Sequence, residues 1–176
     1  MCAAARAAWR PGSSRRSGGS ERRMRTLVLG VGNSILSDDA VGLVVARRLE
    51  ERFGGRDDAD FGYNEEAGFT LLEESLGYER LVVVDSILTG VEPGTIHRLD
   101  LSDLGRSIHS NSPHGMNLAT VMALGRAQGM DVPDDVRIYA IEVIDTLTFG
   151  EELTPQMAER VGGIVDEIAS EVFGDT

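Results

Sequence analysis

The chain has 176 residues and a formal net charge of −12, with 41% hydrophobic and 26% charged residues. One domain with a sizeable core is the prior at this length. The lone Cys2 excludes a disulfide scaffold and any thiolate cluster for zinc or iron–sulfur. The charge is uneven. Residues 1–25 hold seven arginines against Glu21, while the remaining residues hold 10 arginines and 28 acids, a net of −18. A body that acidic repels phosphate backbones, so no nucleic-acid partner is expected. There is no lysine, which removes Schiff-base and phosphate-loop lysine chemistry. No apolar run reaches the length of a membrane helix, so no membrane partner is expected either.

Residues 1–23 read as a disordered Arg/Ser/Gly-rich tail, because Arg10 to Ser20 has no apolar period with which to offset ordering entropy. No apolar stretch follows its basic residues as a secretory signal requires, and Met24 reads as the functional first residue. Residues 24–176 form a single α/β domain in this reading. Thr26–Gly30 is a buried strand. Val41 to Phe53 is an amphipathic helix, with Val41, Val44, Val45, Leu49 and Phe53 on one face and Gly54-Gly55 at its end. Residues 60–66 suggest a second strand and Phe69 to Leu76 a short helix. Arg80 to Asp85 is a strong buried strand that ends at its aspartate. Thr95 to Leu99 is a further strand. The connection between them is too short for a parallel crossover, so the two are expected to be antiparallel neighbours. Gly115 to Gln128 is helical, with Met116, Leu118, Ala119, Met122 and Ala123 apolar. Val136 to Ile144 is a strand. Thr154 as cap and Pro155 in the first turn open a last helix that runs to about Phe173. The alternation predicts a three-layer α/β/α sandwich with a mostly parallel sheet.

Ligands of open parallel sheets bind beyond the carboxyl ends of the strands. There the sequence places Asp38 and Asp39 after the first strand, Asp85 at the end of a later one, and His114 at a helix entry. Either aspartate of the pair suffices to cap the following helix, which leaves the other to face the crevice. Asp85 can serve as a loop cap or as a ligand, and His114 as a helix-entry residue or a ligand. His97 reads as a surface residue, and His109 sits in a polar loop. Two carboxylates and an imidazole make an oxygen/nitrogen metal site with open positions. Gly30-x-Gly32 suggests a dinucleotide loop, but Ile35 stands where that fingerprint needs its third glycine.

Met24 to Gly42, with its G-x-G-N and Asp38-Asp39-Ala-Val-Gly42, resembles the opening of the nickel–iron hydrogenase maturation proteases. The strand ending in Asp85, the Pro93-Gly94 turn with Thr95 to Leu99, the block Ser112-Pro-His114-Gly, and Ile141-Glu142, Phe149-Gly150 and Leu153-Thr-Pro155 resemble that family's later blocks in order. The resemblance implies a cytoplasmic endopeptidase that removes the carboxyl-terminal extension of the hydrogenase large-subunit precursor after nickel insertion. It implies one antiparallel strand in the sheet. It implies Asp39, Asp85 and His114 as a metal-ligating trio acting through nickel that arrives with the precursor, and no organic cofactor. A monomer is expected. The competing readings are a non-catalytic chaperone that senses the same metal and a dinucleotide-binding oxidoreductase. Ala40 stands where the family more often has glycine, and it is tolerated only with a negative φ.

Overall fold

The structure is a computed structural model and describes residues 24–66, 68–104 and 115–174. The amino-terminal tail, His109 and His114 lie outside the described residues. In chain order the strands are β1 (Thr26–Val31), β2 (Ala59–Asn64), β3 (Arg80–Ile87), β4 (Ile96–Leu99) and β5 (Asp135–Glu142). The helices are α1 (Val41–Phe53), preceded by a 3-10 turn at Ser37–Ala40, α2 (Phe69–Ser75), α3 (Leu101–Leu104), α4 (Gly115–Ala127) and α5 (Pro155–Phe173). The sheet order is β2-β1-β3-β5-β4. The pairs β1–β2, β1–β3 and β3–β5 are parallel, and β4–β5 is antiparallel.

Strand alternation sorts the core into two halves. Val28, Val82, Val84, Tyr139 and Ile141 face α1 and α5, packing on Val45, Leu49, Val161 and Ile168. Leu27, Leu29, Leu81, Val83 and Ile138 face the other way, toward Leu71 and Leu72 of α2 and Leu118 and Met122 of α4. This is the expected three-layer α/β/α sandwich with a mostly parallel sheet and one antiparallel strand. α1 buries Val41, Val45, Leu49 and Phe53 as its period predicts. On α4 the expected stripe is narrower, because Ala123 is exposed and Val121 is buried in its place.

Three expectations are corrected. The partner of β4 is β5 rather than β3, with Ile96 opposite Ile141 and Leu99 opposite Ile138. The loop 88–95 is long enough to span two strand spacings, so it leaves a slot beside β3 that the later parallel strand fills. β3 does not end at Asp85. It continues through Ser86 and Ile87, paired only with β5, because its ladder with β1 stops at Gly30 opposite Val84. β5 ends at Glu142, two residues early: the Val143 amide still donates to the Ile87 carbonyl, but a buried carboxylate takes the amides of Ile144 and Asp145 that follow.

Candidate active site at the carboxyl edge of the sheet

α1 follows β1 and packs on one face, and α2 follows β2 and leads to β3 on the other side of β1. The carboxyl ends of β1 and β3 therefore flank the switch point where such sheets open a crevice. α1 reaches this point because glycines let backbone meet backbone. A Cβ on Gly42 would lie 2.2 Å from the Val31 carbonyl oxygen and 2.3 Å from that of Val84, and one on Gly30 would lie 2.5 Å from the Gly42 oxygen. Gly30, read as the first glycine of a dinucleotide loop, thus serves with Gly42 to seat α1 on β1 and β3, while Gly32 makes room for the Asp39 carbonyl, 2.0 Å from where its Cβ would lie. Ala40 has φ −74° and is unstrained, as its residue type requires.

Neither aspartate of the pair caps α1, whose amino terminus has no side-chain cap. Asp38 is 0% exposed. Its Oδ1 accepts the Thr154 amide at 2.7 Å, and its Oδ2 accepts the Ile144 and Asp145 amides at 3.3 and 3.2 Å and the Thr154 hydroxyl at 3.1 Å. Thr154 therefore donates its hydroxyl to Asp38 instead of capping α5 through it. Asp38 ties the β1–α1 loop to the β5–α5 loop. The residue before it, Ser37, has φ +39°, a strained value for a residue with a Cβ. It is held there by the Gly150 carbonyl, which accepts its amide at 2.9 Å.

Asp39 points the other way. Its Oδ2 accepts the Asn33 amide at 3.1 Å and its Oδ1 accepts the Ser86 hydroxyl at 2.5 Å, so it bridges the two sides of the switch point. Each oxygen keeps acceptor capacity, since a carboxylate offers about four lone-pair sites. Asp85 is buried and accepts the Ser86 amide at 2.8 Å. By alternation it lies on the sheet face of Val83, the face covered by α4, and Ser86 lies on the face of α1. Burial costs an aspartate its hydration, which only donors or a cation make good.

Glu142 completes the edge. It is 0% exposed, and its carboxylate accepts the Thr89 and Gly90 amides and the Thr89 hydroxyl, each at 2.7 Å. His97 Nε2 lies 3.2 Å away, so this histidine is half-buried against a carboxylate rather than a simple surface residue. Burial opposes the Glu142 charge, but the donors from Thr89, Gly90 and His97 outweigh it and hold the carboxyl below its usual range. Among the described residues, no group of three or more His, Cys, Asp and Glu side chains converges to hold a metal. No helix among them is long and apolar enough to cross a membrane.

Sequence reasoning missed Asp38 as a tie, Ser86 as the partner of Asp39, and Glu142 as the anchor of the loop after β3. The partners of Asp38 and Glu142 lie far away in sequence, beyond any local pattern.

Residues 45–171 match the family model described as hydrogenase maturation protease. The hydrogenase 2 maturation protease of Escherichia coli (strain K12) is 33% identical over 147 residues, covering 82% of this chain and 88% of its own. Among solved structures, the hydrogenase maturating endopeptidase HybD from E. coli has a TM-score of 0.72 at 28% identity, covering 85% of this chain and 92% of its own. The [NiFe] hydrogenase maturation protease HycI from Thermococcus kodakarensis KOD1 has a TM-score of 0.66 at 25% identity, covering 85% and 93%. With sequence and fold agreeing over most of its length, this chain belongs to the hydrogenase maturation protease family and is a hydrolase of the endopeptidase type.

Proposed function

We propose that the chain cuts the carboxyl-terminal extension from a [NiFe] hydrogenase large-subunit precursor once nickel is in place, and that Asp39, Asp85 and His114 meet that nickel. The metal is part of the substrate in this reading. The observation that carries it is Asp39, a buried carboxylate fixed at both oxygens across the β1/β3 switch point by Asn33 and Ser86. The next residue of β3 before Ser86 is Asp85, and α4, which begins at Gly115, follows His114 directly. Carboxylate and imidazole donors suit nickel.

Cleavage adds one water across the scissile amide. It leaves a new carboxylate on the mature subunit and a new amine on the released peptide. The hydrogen bonds to Asp39 hold its oxygens in place before substrate arrives, so little reorganisation accompanies contact. Reading nickel at this point makes the cut conditional on metal loading.

The test mixes purified protein with nickel-loaded and with nickel-free precursor and reads the mass of the precursor's carboxyl terminus. Shortening of the nickel-loaded form alone is expected. Binding of that form without shortening would replace this reading by a metal-sensing chaperone, and absence of binding would remove the precursor as partner.

A further inference from the structure

The loop between β5 and α5 carries two apolar side chains that project into solvent. Leu147 is 83% and Phe149 80% exposed. A single exposed apolar residue is ordinary on any protein, but two such side chains one residue apart on a pinned loop are not. The loop is pinned at both ends. The Leu147 and Thr148 amides each donate at 2.9 Å to Asp145 Oδ1. Residue 150 forms a short parallel bridge to Leu36, in which the Gly150 amide donates to the Ile35 carbonyl at 3.0 Å and the Ser37 amide donates to the Gly150 carbonyl. Ile35 and Ile144, both exposed, extend the apolar surface on the same two loops. One end of this loop is therefore closed on its own Asp145, and the other is bonded through Gly150 to the loop that carries Asp38 and Asp39.

The charge of these two loops is of one sign. Residues 32–40 and 143–154 contain Asp38, Asp39, Asp145, Glu151 and Glu152 and no arginine, lysine or histidine. Glu151 and Glu152 are exposed beside Phe149. A partner that covers this surface must supply apolar side chains to the centre and cations to its edge.

We infer that Leu147 and Phe149, flanked by Ile35 and Ile144, form the docking surface for the large-subunit precursor, which meets them through an apolar segment bordered by lysine or arginine. The inference rests on the function proposed above. The occupant follows from continuity: the loop that presents this apolar surface is bonded through Gly150 to the loop that carries Asp39, so a precursor seated on it lies beside the loop of the residue it is to meet.

The test measures kcat and KM for cleavage of nickel-loaded precursor by the wild-type chain, by L147S/F149S and by F149L, at low and high salt, with melting temperatures alongside. The double variant is expected to raise KM about 30-fold, as truncation of central interface anchors does. Its loss reads in KM rather than kcat, F149L recovers most of it, and high salt raises the wild-type KM. An unchanged KM in L147S/F149S beside an active wild-type chain overturns the docking surface and leaves the proposed function standing. A wild-type chain that neither binds nor cleaves the precursor overturns both. A wild-type dimer in sedimentation that L147S/F149S converts to a monomer would assign the surface to a second copy instead.

Discussion

Asp38 and Asp39 are adjacent, acidic and buried, yet the structure gives them separable roles, and replacing each by alanine distinguishes them. Asp38→Ala removes one acceptor at 2.7 Å from the Thr154 amide and three longer ones at 3.1–3.3 Å, and the lost carboxylate is itself 0% exposed. The short bond to a charged acceptor is worth about 2 kcal/mol, and the three longer ones roughly 0.5–1 kcal/mol each. The loss is therefore about 4 kcal/mol, a large share of the 5–15 kcal/mol that holds an ordinary domain together. At about 2–4 °C per kcal/mol for a chain of this size, melting falls by roughly 12 °C. Asp39→Ala removes only the Asn33 amide and Ser86 hydroxyl bonds and costs about 2 kcal/mol. Urea unfolding at neutral pH followed by far-UV circular dichroism measures both. A cost below about 1 kcal/mol for Asp38→Ala, or one no larger than that of Asp39→Ala, would refute the assignment of Asp38 as the tie between the two loops.

Asp39→Asn and Asp85→Asn are each expected to abolish cleavage of nickel-loaded precursor while melting stays within a few degrees of wild type, because the amide keeps the shape of the carboxylate; retained cleavage in either would remove that residue from the site. Gly42→Ala puts a Cβ 2.2 and 2.3 Å from two carbonyl oxygens, so α1 must lift off β1 and β3; a cost of about 3 kcal/mol or more, or failure to fold, is expected in the same unfolding assay. Glu142 carries a depressed pKa in the fold. Its carboxylate stabilises the protein fully above the unfolded value, near 4.5, and progressively less as pH falls through the lower folded value. The stability gap between wild type and Glu142→Gln should accordingly be constant near neutral pH and narrow in acid, and a gap that widens in acid would contradict the charge assigned to Glu142.

Periodicity and turn chemistry made the layers legible. The face of α1 and the long amphipathic α5 are local patterns that burial follows directly. What escaped was set by pairings across the chain. The shortness of the 88–95 loop announced an antiparallel β4, but which strand it would join depended on β5, whose place between β3 and β4 no residue of that loop encodes. The boundary of β5 was likewise decided from outside, by Asp38 drawing away the Ile144 and Asp145 amides. At the site, the strand-end rule brought attention to Asp39 and Asp85, and the structure puts Asp39 and the Asp85–Ser86 step on opposite sides of one switch point. The expected helix cap on α1 failed because the pair is drawn into tertiary bonds before it can cap. His114 lies outside the described residues.

The acidic residues of the carboxyl edge divide by what their oxygens already hold. Asp38 and Glu142 each bind three or more protein donors, in which both oxygens take part. Such a carboxylate has little capacity left for a metal or a substrate, and its negative charge acts as mortar between loops. Asp39 accepts one donor per oxygen, which fixes its plane and leaves a lone pair on each. Asp38 and Glu142 hold the loops before and after Asp39 and Asp85 rigid, so the less saturated carboxylate keeps its position without help from a bound ion. Asp39 is positioned by protein donors on both of its oxygens. That property matches the proposed role of meeting nickel only when a loaded precursor brings it, and it predicts that chelator-treated protein melts at the temperature of untreated protein.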